Sequence, residues 1–357
     1  MPPRKRTATA TARNSKAALS PTTARRTAVT SHKDLHNNSS PRPSRWHIWK
    51  TAARPHTLTA SICPCLVAAA ACPTAPLTWQ LVWLLFCVTV QLGTNIHNDY
   101  ADFVRGADTD QRIGHARATA LGWWTPAETC RAATVTLSIT TAAGVSLVAL
   151  AEQWHNAFLW FLIGSSVFNA FAYTGGPYPL GYLGLEHVSI AYSGAGDVFV
   201  LLYFGLTATL MVPYLLTVSS GHSSSSSEMT TLWPQMALYS IQVGLLATNI
   251  IVVNNLRDRH TDVSASKLTT SVRFGRRFSI VEYTACLVIS YSLVLVDFVW
   301  ADWSLLRLLP LVSLPVAYRE MISVIQKDGA DLNEHVGGTA KVQFLFCILL
   351  SVALRLS

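Results

Sequence analysis

Two stretches, Asn95-Ile-His-Asn-Asp-Tyr-Ala-Asp-Phe-Val-Arg-Gly-Ala-Asp108 and Asn254-Asn-Leu-Arg-Asp-Arg-His-Thr-Asp262, decide how this chain is read. Each sits where a long apolar run gives way to a polar, basic loop, and the two lie about 160 residues apart. Side chains three or four residues apart share one helix face, which pairs Asp99 with Asp102 and Asp258 with Asp262. Such pairs suit a hard divalent cation, and Mg²⁺ held by one or two carboxylates usually also grips a substrate phosphate. Asp and Asn equally cap helix ends. Two motifs of like composition at two such exits favour a metal site over a pair of caps.

Outward from the motifs, the apolar runs set the fold class. A run of about 17 to 25 apolar residues is long enough to cross a bilayer as a helix. The sequence offers nine, near 56–74, 78–97, 132–150, 155–173, 197–217, 233–253, 279–299, 303–323 and 342–356. The expected architecture is an all-α, polytopic membrane protein of about nine transmembrane helices bundled around a central cavity. Composition agrees: half the residues are hydrophobic and 13% charged, against about 25% charged in an ordinary soluble domain.

Loop charge orients the bundle. The loops after the second, sixth and eighth runs carry Arg105, Arg112, Arg117 and Arg131, then Arg257, Arg259, Lys267, Arg273, Arg276 and Arg277, then Arg319, Lys327 and Lys341; the odd-numbered loops carry none. By the positive-inside bias, both acidic motifs and the N-terminal tail face one compartment. Gly221 to Glu228, with five consecutive serines, falls on the other side and reads as a flexible connector. The motifs recur four helices apart, which hints at duplication of a four-helix unit.

The formal charge of +8 belongs to the tail. Residues 1–50 hold eleven Lys and Arg against Asp34 alone, whereas the rest of the chain holds sixteen against eighteen acids. The body therefore has no basic excess for nucleic acid. Residues 1–45 read as a disordered basic tail or an organelle transit peptide, addressed to a mitochondrial or plastid membrane, and residues 46–357 as the transmembrane domain. Seven scattered cysteines, Cys63, Cys65, Cys72, Cys87 and Cys347 among those within apolar runs, indicate neither a disulfide framework nor a zinc site.

Charged groups at membrane-embedded helix ends are expensive unless they are used. Asp99, Asp102, Asp108, Asp258 and Asp262 are expected to hold Mg²⁺, with Arg112, Arg117, Lys267 and Arg273 meeting phosphate oxygens. Acids mixed with bases suit a diphosphate rather than a cation path, and an apolar interior below them suits a lipid-tailed one. Metal-assisted departure of diphosphate leaves an allylic cation that an aromatic ring can attack. Tyr100, Tyr173, Phe168, Phe171 and Trp49 are candidates for a π wall that stabilises it.

At this point the residues resemble the UbiA superfamily of membrane prenyltransferases, and within it the 1,4-dihydroxy-2-naphthoate branch. The match rests on Ala53-Arg-Pro-His-Thr-Leu58, the two acidic motifs, Asp110-Gln-Arg-Ile-Gly114, Tyr173-Thr-Gly-Gly-Pro-Tyr-Pro-Leu-Gly-Tyr182, Gly196-Asp-Val-Phe199, and Leu332-Asn through Thr339-Ala340. It runs from about residue 46 to the end of the sequence. The resemblance implies Mg²⁺-dependent transfer of a polyprenyl group from its diphosphate to the naphthoate ring in the bilayer, with loss of the ring carboxylate. It implies Asp99, Asp102, Asp258, Asp262 and Lys267 as catalytic residues. Asn95, Asn98, Tyr100, Arg112, Arg117, Tyr173, Asn254, Asn255 and Arg257 are the implied substrate-binding set.

Three features depart from the family pattern. Glu186 to Ala195 stand between Leu185 and Gly196, where members commonly run straight on; this is either a loop elaboration near the mouth of the site or an error in the gene model. His115 replaces a usual proline, and the basic extension before Trp46 is foreign to typical bacterial members. Three other readings stay open: a related aromatic or quinone prenyltransferase, including a vitamin K type enzyme; a cation transporter; and a non-catalytic membrane regulator.

Overall fold

The computed structural model describes residues 43–108, 112–219 and 226–357, without the side chains of 226–231. The basic tail, Asp110 and part of the serine run therefore lie outside the described residues. Residues 43–357 form one compact unit, helical throughout, with no strand among the described residues.

A short helix, α1 (Arg45–Ala53), leads through the turn Pro55–Thr57 into α2 (Thr59–Ala71). There follow α3 (Leu77–Val104), α4 (Pro126–Leu150), α5 (Ala157–Ala172) and one helical turn, α6 (Ile190–Ser193). The second half holds α7 (Gly196–Ser219), α8 (Ser226–Ser264) and α9 (Thr270–Trp300). A 3₁₀ stretch, Leu305–Ser313, opens α10 (Leu314–Gln326), and another, Gly329–Leu332, opens α11 (Asn333–Leu356).

Among the described residues seven helices are long and apolar enough to cross a membrane, and α2 and α5 are shorter apolar helices. The expected runs near 56–74 and 155–173 thus become helices of 13 and 16 residues. In the first, the chain before Thr59 is spent on the Pro55–Thr57 turn, and Pro73 follows the cap at Cys72. Conversely, α3 and α8 run past their apolar segments to Val104 and Ser264, so both acidic motifs are themselves helical.

α3 packs on α4, α8 on α9, and α11 returns to α2, so the ends of the unit meet. The apolar core runs from Trp83 and Phe86 on α3 through Leu215, Tyr239 and Leu256 to Phe346 on α11. Without a hydrophobic difference between helix surface and lipid tails, packing and interhelical hydrogen bonds set the arrangement. The Asn249 amide accordingly donates to the Tyr283 carbonyl (3.1 Å), the Gln242 amide to Ser290 (3.1 Å), and the Trp83 indole to Ala208 (2.8 Å). α7 and α8 cross at Gly205 and Gly244, where a Cβ on Gly205 would stand 2.7 Å from the Gly244 Cα. The stretch Leu201–Thr207 there is π-helical.

Candidate active site

Both acidic motifs end at the same end of the bundle, at the mouth of a cavity of about 230 Å³. The last turns of α3 bring Asp99 and Asp102 inward, and those of α8 bring Asp258 and Asp262; all four are buried. Below them the cavity is walled by Trp83, Phe86, Phe199, Tyr203 and Phe204, and its upper wall carries Tyr173, Asp197 and Thr270.

Each carboxylate is met by a cation. Arg54, with a left-handed backbone at φ 51°, reaches across from the end of α1 and donates to Asp99 Oδ1. Arg117 is buried among three acids: its Nη1 donates to Asp102 (2.6 Å), Asp108 (3.2 Å) and the Asn98 carbonyl (3.1 Å), and its Nε lies 3.7 Å from Asp99. Arg112 donates to Asp108 (2.9 Å). Arg257 grips Asp258 with two bonds of 2.6 and 2.8 Å, and Lys267 Nζ lies 3.9 Å from Asp262. Five carboxylates thus face five cations.

The electrostatics outside the spans follow from this crowding. Burial works against the Arg117 charge, but Asp102, Asp108 and Asp99 outweigh it and hold the guanidinium above its usual range. Burial, aided by Arg117, lowers Arg112 to about 10. His56 and His115 lie side by side, their rings tilted at 55° with 4.5 Å between centroids. Burial, then His115, Arg54 and Arg257, push His56 down to about 4; His115 is lowered by burial, then by Arg257 and Arg54. Both imidazoles stay neutral and add no further positive charge to the mouth.

At the mouth, two carboxylate oxygens have no hydrogen-bond partner among the described residues. Asp99 Oδ2 and Asp262 Oδ2 are buried without a hydrogen bond, an arrangement that costs free energy unless a ligand completes it. Among the described residues no group of three or more His, Cys, Asp or Glu side chains could close on one ion. The oxygens therefore suit a cation that draws its other ligands from water and phosphate.

The structure gathers most of the expected residues. Asn95, Asn98, Asp102, Arg112, Arg117, Tyr173, Asn254, Asn255, Arg257 and Lys267 line the cavity. Asp99, Asp108, Asp258 and Asp262 stand behind that lining, under their arginine or lysine partners. Tyr100 is off the lining, with its ring 6.0 Å from that of His97. Of the five aromatic candidates for the π wall, only Tyr173 lines the cavity. Trp49 packs on Trp124 and Phe171 on His97, while Phe168 is exposed. Arg273 is also off the lining, donating to the Leu268 carbonyl at 3.0 Å.

Sequence reasoning missed Arg54, Asp197, Thr270 and Tyr192 as site residues. Asp197 accepts from the Thr270 hydroxyl (2.5 Å) and the Asn255 amide (3.2 Å), which joins α7, α8 and α9 at the cavity wall. Asn333 at the start of α11 accepts from Arg257 (3.3 Å) and donates to the Ile113 carbonyl (2.8 Å), drawing the loop after the first motif onto the second. The Arg-Pro-His-Thr and Gly-Asp-Val-Phe segments were the available signals for Arg54 and Asp197.

A mixed acid and arginine mouth over an apolar, aromatic-walled cavity inside a membrane bundle defines a protein that handles a lipid-tailed anion. Residues 61–336 match the UbiA prenyltransferase family. The chain is 33% identical over 324 residues to the 1,4-dihydroxy-2-naphthoate octaprenyltransferase of Escherichia coli, covering 85% of this chain and 95% of that protein. It is 31% identical over 317 residues to the Mycobacterium leprae protein of the same name, covering 87% and 96%. A UbiA homolog from Archaeoglobus fulgidus, solved bound to DMAPP and Mg²⁺, superposes with a TM-score of 0.52 at 15% identity, over 87% of this chain and all of that one. The chain belongs to the UbiA prenyltransferase family and is an integral membrane protein with an all-α, UbiA-like fold.

Proposed function

We propose that this protein transfers a polyprenyl group from its diphosphate to 1,4-dihydroxy-2-naphthoate, a step of menaquinone or phylloquinone synthesis. A new carbon–carbon bond forms at the ring, the allylic carbon–oxygen bond breaks, pyrophosphate leaves, and the ring carboxylate departs as CO₂. The single observation that carries the reading is the mouth itself: two acidic helix ends and their arginines close over an aromatic-walled cavity. The names of the two bacterial relatives, each nearly fully covered, supply the acceptor.

Asp99, Asp102, Asp258 and Asp262 would hold Mg²⁺, with the unpartnered Asp99 and Asp262 oxygens as its first contacts. The ion supplies charge to the departing diphosphate. Arg54, Arg112, Arg117, Arg257 and Lys267 bind the phosphate oxygens as they exchange carboxylate for phosphate partners. Tyr173, Phe199, Tyr203 and Phe204 keep water from the allylic carbon and present π faces to it. Asp197, held by Thr270 and Asn255, orients the hydroxyls of the acceptor.

Residues 46–357 carry the catalysis in this reading, and the basic sequence before them addresses the protein to a mitochondrial or plastid membrane. Deleting residues 1–42 should leave turnover intact, and the tail fused to a fluorescent reporter should reach an organelle. The function itself is tested in membranes by turnover of prenyl diphosphate with the naphthoate acceptor. Activity should vanish in EDTA and in Asp99→Ala and Asp258→Ala at near-normal abundance. Full turnover in EDTA would remove the mechanism.

A further inference from the structure

The segment Glu186-His-Val-Ser-Ile-Ala-Tyr-Ser-Gly-Ala195 interrupts the family pattern, yet it is bonded into the site from three directions. Arg105, at the end of α3, donates to the Glu186 carbonyl at 2.7 Å. The Ala191 amide donates to the Tyr173 carbonyl at the end of α5 (2.7 Å). The Leu268 amide, in the turn after α8, donates to the Tyr192 carbonyl (3.2 Å). The turn α6 starts on the Ser189 hydroxyl and stops at Gly194, whose φ of 82° and contact with the Leu268 carbonyl leave no room for a side chain. Gly175 holds the opposite flank: a Cβ there would collide with the Val188 carbonyl.

This framing aims Tyr192 at both acidic motifs. Its hydroxyl donates to Asp102 Oδ1 at 2.9 Å, while Arg117 donates to the other oxygen, so both lone-pair faces of that carboxylate are directed. Its ring carries the Arg105 guanidinium at 4.9 Å and the Lys267 ammonium at 5.8 Å from the centroid. Lys267, in the turn just after α8, faces Asp262 of the second motif. One side chain therefore meets Asp102 of the first motif and the lysine that pairs with Asp262 of the second.

We propose that Tyr192 is a positioning residue that joins the two acidic motifs, making segment 186–195 a working part of the donor-diphosphate site rather than a passive loop. The phenol fixes the Asp102 carboxylate, and the ring face holds Lys267 over the place where phosphate oxygens arrive. Phenylalanine would preserve the packing and the cation contact and remove only the hydroxyl, which separates this role from a purely structural one. The inference rests on the reading of the mouth as a Mg²⁺-diphosphate site.

The test is thermal unfolding of the full chain in detergent at fixed Mg²⁺, titrated with inorganic pyrophosphate, for the wild type, Tyr192→Phe and Tyr192→Leu. Tyr192→Phe should stay folded, with a modestly lower ligand-free unfolding temperature for the lost bond to Asp102, and measured from that temperature it should need about tenfold more pyrophosphate for half-maximal protection, the usual scale of a hydrogen bond to a charged group. In turnover assays its KM for prenyl diphosphate should rise while KM for the acceptor stays put. Tyr192→Leu, which also loses the cation contact, should be weaker by about a further threefold. Tyr192→Phe binding pyrophosphate like the wild type would overturn the inference and leave the function standing. No protection of the wild type would instead remove the diphosphate reading, and the inference with it. If Tyr192→Leu fails to accumulate, the Phe comparison decides alone.

Discussion

Arg117→Ala probes the design of the mouth most sharply. The guanidinium is 5% exposed and serves Asp102 at 2.6 Å, Asp108 at 3.2 Å and Asp99 at 3.7 Å. Removing it strands Asp102, whose remaining partner is Tyr192, and leaves Asp99 and Asp108 to Arg54 and Arg112. Breaking a buried pair by deleting one member costs about 3–5 kcal/mol, because the uncompensated charge stays buried. The variant should lose stability on that scale in metal-free buffer, read by thermal unfolding in detergent. The balance of five acids and five cations adds a second, more diagnostic expectation. In the wild type, free Mg²⁺ meets acids already neutralised, so it should stabilise only together with pyrophosphate. In Arg117→Ala an uncompensated carboxylate is available, and millimolar Mg²⁺ alone should restore part of the loss. A variant as stable as the wild type, or one blind to Mg²⁺, would refute the claim that Arg117 neutralises the acids of the mouth.

Three further expectations follow from the same contacts. The folded pKa of His56, at about 4, lies below the unfolded value of 6.5, so its contribution is complete above pH 6.5 and is lost as pH falls toward 4; thermal stability should drop over that window, and His56→Gln should flatten the slope. Gly205→Ala places a methyl against the Gly244 Cα and should cost about 1–3 kcal/mol through overpacking, seen as a lower unfolding temperature with KM values unchanged. Asn333→Ala cuts the bridge from Arg257 to the Ile113 carbonyl; its kcat should fall while abundance holds, and a protein unchanged in turnover would show the bridge to be ornamental.

The sequence carried the bundle and the acids because both depend on local pattern. Apolar length fixes a helix, and the Asp99/Asp102 and Asp258/Asp262 spacings fix a shared face. What stayed hidden depends on the three-dimensional return of the chain. Arg54 lies 45 residues before its partner Asp99, and Tyr192 lies 90 beyond Asp102; no periodicity links such pairs. Arg112 and Arg117 were legible as basic residues, but their present partners are carboxylates, a pairing set by burial. The aromatic wall was misplaced for a similar reason: Trp83 and Phe86 look like ordinary span residues, and only the packing of α3 against α7 turns them toward the cavity. Trp49 and Phe168, aromatic but far from either motif in sequence, stand elsewhere in space, one packed on Trp124 and the other exposed. The short α2 and α5 show the converse limit, since hydropathy counts apolar residues while prolines and caps decide where a helix stops.

The most direct measurement uses membranes bearing the full chain, Mg²⁺, a prenyl diphosphate and 1,4-dihydroxy-2-naphthoate labelled in its carboxyl carbon, with Asp99→Ala beside it. The account predicts a prenylated naphthoquinol without the carboxyl group, labelled CO₂ in equal amount, and neither in the variant. Prenylation of other aromatic acceptors while the naphthoate is left untouched, or a product that keeps the label, would contradict it.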